Sequence, residues 1–245
     1  MDTHELGTPI CVDLQSPEPA AVATFYATLF GWQFGDTATE ADGHRTALLR
    51  GCPAAGIGQI REPGLPGWTT YVAVADVDEA ARKVTAAGGT VLSPPSGRDP
   101  MFADPSGTRF AVRRIGDSPA AAVADEPGAF SWGELITDDV DASGAFYGSV
   151  FGWTLTAPEG PLQRREWQLR GRSISGLLPR PPAMAKDTPP YWDVYFTVTD
   201  AAASADTAIA AGGVQLMPPT DIGVGHIAVF LDPAGAVFTV MAPKN

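Results

Sequence analysis

Glu134 and Asp193 are acids set inside runs that otherwise read as buried strands, FSWGELI at 130–136 and WDVYFTV at 192–198. Residues two apart on a strand share a face, so Glu134 goes with Trp132 and Asp193 with Tyr195. The same parity pairs Cys11 with Asp13, Thr69 with Tyr71, and Thr239 with Met241. A carboxyl buried against apolar surface is pushed up in pKa and becomes a general acid or base. A carboxyl that accepts hydrogen bonds from a neighbouring strand, or lies in water at a rim, does no chemistry. Both readings stand for Glu134 and Asp193.

Cys11 as a nucleophile needs a base beside it. The pattern puts no His in its strand neighbourhood, so it reads as a buried, inert thiol. Three histidines are present. His4 belongs to a polar leader, and His44 opens a strand after the polar turn Thr39–Gly43, which predicts exposure to solvent. His226 follows GVG and precedes an apolar strand, so it is the one histidine that could face a cavity.

The elements that must position these groups occur twice. FYATLFGW at 25–32 returns as FYGSVFGW at 146–153, AAGGTVLSPP at 86–95 as AAGGVQLMPP at 210–219, and FADPSGTRFAV at 102–112 as FLDPAGAVFTV at 230–240. The period is far longer than that of a solenoid repeat, so each copy is a domain. Residues 7–115 form one, 116–128 (GDSPAAAVADEPG) a linker poor in large apolar side chains, and 129–244 the second. TPICVDL at 8–14 predicts a half-buried strand. Ser16 is then placed as a helix N-cap with Pro17 at the first helical position, and Val22, Phe25, Tyr26 and Leu29 make one apolar stripe ended by Gly31. Three strands follow, and a second strand–helix–three-strand round begins at Trp68. Each domain is thus two βαβββ rounds, and the class is α+β. Phe25, Tyr26, Phe146, Tyr147, Trp32 and Trp153 are accounted for by packing, while Trp68 and Trp192, at strand starts, are placed to line or rim a cavity. DPSG and DPAG are turns whose Asp residues cap backbone amides.

Composition bounds the partners. The net charge is −12 and the sequence pI about 4.5, which repels a phosphate backbone and argues against nucleic acid. Two cysteines, Cys11 and Cys52, are too few for a disulfide framework. No basic-plus-apolar leader and no long apolar run appears, so a cytoplasmic protein that does not span a membrane is expected.

The two βαβββ rounds per domain, FYxxxFGW closing the first helix, and DPxG before the last strand resemble the vicinal oxygen chelate superfamily, which includes glyoxalase I, bleomycin-resistance proteins and extradiol dioxygenases. The chain is similar to tandem glyoxalase-like proteins of actinobacteria of the kind labelled hydroxylases. The resemblance implies that each domain curls into a half-open barrel, and that metal-using members bind a divalent ion through His on the first strand of each round and Glu on the last. Those positions fall here on Cys11 and Trp132, Thr69 and Asp193, Ala111 and Thr239, and on 56–59 and 176–179, where no His, Asp or Glu occurs. Neither domain has the set, so no metal and no cofactor is expected. What the resemblance leaves is a second-domain cup carrying Trp132, Glu134, Asp193, Tyr195 and Thr239, with His226 near, and a first-domain cup with Cys11, Asp13, Thr69 and Tyr71. Aromatic walls with a few polar groups suit a small-molecule ligand, a secondary metabolite or drug bound without chemistry. The alternatives are an isomerase, lyase, cyclase or hydroxylase-like enzyme using the two acids, or a metal-dependent glyoxalase or dioxygenase. Monomer and homodimer both fit, and the rounds could pair within a domain or across domains.

Overall fold

The computed structural model describes residues 5–34, 44–60, 66–93, 100–116 and 126–244. His4, the Thr39–Gly43 turn, the Pro-rich turn after Ser93 and most of the 116–128 linker lie outside the described residues. The first half runs β1 (Pro9–Ser16), α1 (Pro19–Phe30), β2 (Gln33–Phe34), β3 (Arg45–Leu49), β4 (Cys52–Gln59), then β5 (Gly67–Val74), α2 (Val77–Ala86), β6 (Thr90–Val91), β7 (Met101–Ala103) and β8 (Arg109–Arg114). The second half repeats it: β9 (Phe130–Thr137), α3 (Val140–Phe151), β10 (Thr154–Leu155), β11 (Arg165–Leu169), β12 (Arg172–Pro179), then β13 (Tyr191–Thr197), α4 (Ala201–Ala210), β14 (Val214–Asp221), β15 (Gly225–Leu231) and β16 (Val237–Pro243).

The fold is α+β, with two mixed eight-stranded sheets that stay open. Their orders are β2-β3-β4-β1-β5-β8-β7-β6 and β10-β11-β12-β9-β13-β16-β15-β14. The first strand of each round pairs in parallel with the last strand of the same round, as Asp13 opposite Gly56 and Tyr195 opposite Thr239 show. Central placement corrects the expectation for TPICVDL. Both faces of β1 are covered, with Ile10, Cys11, Val12, Asp13 and Leu14 all buried. A strand buried on both sides reads as a continuous run, not as a clean alternation.

The first helix also begins later than its sequence suggests. Ser16 ends β1, and Pro19, not Pro17, takes the early helical position. A residue before proline is driven out of the helical region, so Glu18 sits at φ −129°, ψ 65° and the chain cannot turn until it is passed. Ser16 Oγ still accepts from Glu18 N–H. The other helices start on capping carboxylates, Asp76, Asp139 and Asp200, each accepting from first-turn amides. α1 and α3 end on Gly31 and Gly152 at φ 71° and 76°, a conformation that favours glycine.

By packing, the chain forms two compact units. One gathers the described residues within Met1–Ile10, Thr70–Ala120 and Trp132–Trp192, and the other those within Cys11–Thr69, Ala121–Ser131 and Asp193–Asn245. Each core therefore joins a round from one half of the sequence to a round from the other. In the first unit α2 packs with α3 over Val84, Phe102, Phe110, Phe146 and Tyr147. In the second α1 packs with α4 over Phe25, Tyr26, Phe196, Phe230 and Phe238. The alanine-rich α4 lets that neighbour approach: a Cβ on Gly213, just beyond it, would stand 3.2 Å from Phe25 Cε2. Among the described residues no helix is long and apolar enough to cross a membrane.

Candidate functional site

In the first unit, Glu134 on β9 is buried opposite Gly176 on β12. Arg164, immediately before β11, donates from Nε to Glu134 Oε1 at 2.6 Å, and its Nη1 lies 3.4 Å from Glu166 Oε1. Ser173 Oγ donates to Glu166 in turn. The guanidinium carbon stands 6.0 Å from the Trp132 ring centre, within cation–π range. Gly176 makes the cluster possible, because a Cβ there would be 2.5 Å from Glu134 Oε1, 3.0 Å from Trp132 Nε1 and 3.1 Å from Arg164 Nη2. Elsewhere in this unit Tyr71 is buried, with the Arg113 guanidinium 4.3 Å over its ring.

In the second unit the first half builds the matching arrangement. His44 Nε2 lies 3.4 Å from Asp13 Oδ2, and Gly56 leaves the room, since a Cβ there would be 2.5 Å from His44 Nε2. The expectation that His44 is solvent-exposed is thereby corrected: only 18% of its side chain is exposed, because the bare backbone of β4 at Gly56 and Gly58 receives the ring. Cys11 and Thr69 are buried in this unit. So are Asp193 and Thr239, whose hydroxyl donates to Asp193 Oδ2 at 2.7 Å, with Tyr195 in register beside Thr239. His226 is exposed on β15, opposite Asp221 and Ala242. The structure thus joins Trp132 to Glu134, Asp193 to Thr239, and Cys11's neighbour Asp13 to a histidine. Glu134 and Asp193 belong to different units.

Trp68 and Trp192 pack into the cores and not at a rim. Each is buried in a core and donates its indole N–H to a tyrosine hydroxyl, Trp68 to Tyr26 at 3.2 Å and Trp192 to Tyr147 at 3.0 Å. Those hydroxyls donate to the turn acids, Tyr26 to Asp232 and Tyr147 to Asp104. The acids also cap their turns, Asp104 accepting from Ser106 and Thr108 amides and Asp232 from those of Ala234 and Ala236. Burial, then the nearby acid, pushes both phenols well above their ordinary value of 10.0. Burial likewise raises Asp232, against backbone hydrogen bonds that pull it down. These are buttresses, each tying motifs of one half to motifs of the other.

Strand parity marks neither Arg164 nor the placement of His44, but a repeat does. HRTALLRG at 44–51 and RREWQLRG at 164–171 are a further repeat, with His44 and Arg164 in step one residue before β3 and β11.

The donor set at the superfamily's metal positions does not fit a divalent ion. Trp132 offers an N–H donor only, Thr239 spends its hydroxyl on Asp193, Ala111, Gly176 and Leu177 carry no side-chain donor atom, and Cys11 is a lone thiol. Among the described residues no three His, Cys, Asp or Glu side chains gather as a metal site would need.

A family model for the glyoxalase-like domain matches residues 9–113 and again 134–241. The chain belongs to the glyoxalase-like family. Within the vicinal oxygen chelate superfamily it is 37% identical over 254 residues to CFP32 of Mycobacterium tuberculosis, a glyoxylase by name, covering 98% of this chain and 96% of that one. It is 35% identical over 262 residues to the anthracycline biosynthesis protein DauV of Streptomyces sp. strain C5, covering 96% and 93%. Among solved structures, this glyoxalase-like fold is shared with a Mn(II)-bound glyoxalase from Novosphingobium aromaticivorans, at a TM-score of 0.67 and 18% identity over 98% of this chain and 83% of that one. The 2,3-dioxygenase LapB from Pseudomonas sp. KL28 shares it at a TM-score of 0.65 and 15% identity, over 97% and 93%.

Proposed function

We propose that this glyoxalase-like protein binds a planar, partly aromatic metabolite or drug without a metal, and that the main site is the Trp132 face of the second half. The observation that carries the reading is the indole of Trp132, which takes the place of the first-strand histidine and lies beside buried Glu134 and its part-exposed partner Arg164. A ring that cannot ligate but can stack converts a metal position into an aromatic recognition surface. Glu134, held by Arg164, sets charge and orientation there. Similarity to DauV, named for anthracycline biosynthesis, supports a polycyclic aromatic ligand. The acidic chain makes nucleic acid an unfavourable partner, and cytoplasmic sequestration of a small molecule, by a monomer or homodimer, fits the reading.

A second reading, an enzyme of secondary metabolism using Glu134 or Asp193 for proton transfer, is favoured by the burial of Asp193 against the Thr239 hydroxyl. Titration with the hydroxyanthraquinone alizarin, followed by tryptophan fluorescence and by chromatography of the recovered compound, separates the two. Binding with alizarin recovered unchanged, weakened by Trp132→Phe, supports sequestration. An altered product, lost in Glu134→Gln or Asp193→Asn while affinity stays, makes it an enzyme.

A further inference from the structure

We infer that residues 5–8 and 126–129 are latches, each an extended Glu-x-Gly segment seated in a socket of a tryptophan, a leucine and an arginine, and that either socket takes either latch. Trp153 Nε1 donates to Gly7 O at 2.6 Å, and Trp32 Nε1 to Gly128 O at 2.8 Å. Both indoles are buried. Gly7 N–H donates to Ala73 O at 2.8 Å while Ala73 N–H donates to Thr8 O at 2.9 Å. Gly128 and Ala129 exchange the same two bonds with Thr197, at 2.8 and 3.0 Å. Glu5 accepts from Arg170 and Glu126 from Arg50, the two arginines standing in step at the turns of the β11–β12 and β3–β4 hairpins. Each seat lies within one compact unit, the first with Trp153, Leu169 and Arg170, the second with Trp32, Leu49 and Arg50.

The glycine decides which segment fits. Gly7 sits at φ +87° and Gly128 at φ +89°, a region that favours glycine. A Cβ on Gly7 would stand 3.2 Å from Leu169 Cδ2, and one on Gly128 would stand 2.9 Å from Phe30 O and 3.3 Å from Leu49 Cδ1. The middle residue is not read, since Leu6 and Pro127 are both exposed. Arg170 and Arg50 are largely in water, so the ion pairs contribute little. Recognition therefore rests on a glycine carbonyl aimed at an indole N–H and on paired backbone bonds, as when a peptide is added to a strand. Because both seats present the same donors and acceptors, a segment that fits one fits the other.

The test uses the full chain with its first latch dislodged by Glu5→Lys and Gly7→Val, isotope-labelled at tryptophan, the Trp153 indole signal being assigned through Trp153→Phe. A peptide of residues 1–9 should bind this variant and return the Trp153 signal to its wild-type position. A peptide of residues 123–131 should do the same, and the 1–9 peptide carrying Gly7→Val should bind at least about tenfold more weakly. Wild-type protein, its seat already filled, should bind neither. Equal binding of the 1–9 peptide and its Gly7→Val form, or no binding of either wild-type peptide, overturns the latch; binding of 1–9 alone overturns the interchange. Should the variant not fold, hydrogen exchange in the wild type decides. The Gly7 and Ala73 amides and the Trp153 indole should report one shared opening, easier than that of the core amides of Val72 and Val112, and unrelated openings overturn the inference.

Discussion

Asp13 faces His44 across Gly56, and Glu134 faces Arg164 across Gly176. The acid's partner is an aromatic ring in one copy and a permanently charged fork in the other, so the two copies of one arrangement have diverged in kind. The acids were legible from strand parity alone, but their partners were not, because a contact across a glycine leaves no mark in the periodicity of either strand. The tyrosine buttresses make a sharper residue-scale prediction. Tyr26→Phe takes away the acceptor of Trp68 and the donor to Asp232, and should cost about 1–3 kcal/mol in urea denaturation. Asp232 adds a pH dependence with a definite sign. Its folded-state pKa is raised above the ordinary 3.8, so its contribution is full below that value and is lost as pH rises through the folded one. The stability difference between wild type and Asp232→Asn should therefore shrink from about pH 4 upward; a difference that grows with pH contradicts the burial-driven shift.

At the scale of elements, three of the four helices begin on a carboxylate that accepts from first-turn amides, Asp76, Asp139 and Asp200, a signal the sequence carries directly before each run. The start of α1 misled because Ser16-Pro17-Glu18-Pro19 holds two prolines, and the second decides where the backbone can turn. The half-buried expectation for β1 failed because alternation cannot report a strand covered on both faces. Glycine on β12 carries the element-scale prediction. Gly176→Ala should displace Glu134 from Arg164 and destabilise by about 1–3 kcal/mol, with loss of aromatic ligand binding, whereas Gly107→Ala, in open space but at φ +89°, should cost only backbone strain. Equal stability and ligand binding in wild type and Gly176→Ala would deny that the cluster depends on that bare backbone.

For the whole molecule, the tandem repeat was plain in the sequence, while the pairing of its rounds was not, because α1 against α2 and α1 against α4 require the same apolar stripe. Both cores take their helices from opposite halves of the chain. Expressed alone, residues 1–116 should therefore show no cooperative unfolding as a monomer, and mixing with residues 117–245 should restore it; a half that melts cooperatively by itself as a monomer contradicts this. The function proposed for this glyoxalase-like scaffold is recognition by an indole and an ion pair in place of a cation. Calorimetric titration of chelator-stripped protein with alizarin, repeated after adding Mn(II), Fe(II), Ni(II) or Zn(II), tests it most directly. One affinity throughout and no stoichiometric metal retained on dialysis are expected; binding that appears only when a metal is restored would overturn the metal-free reading.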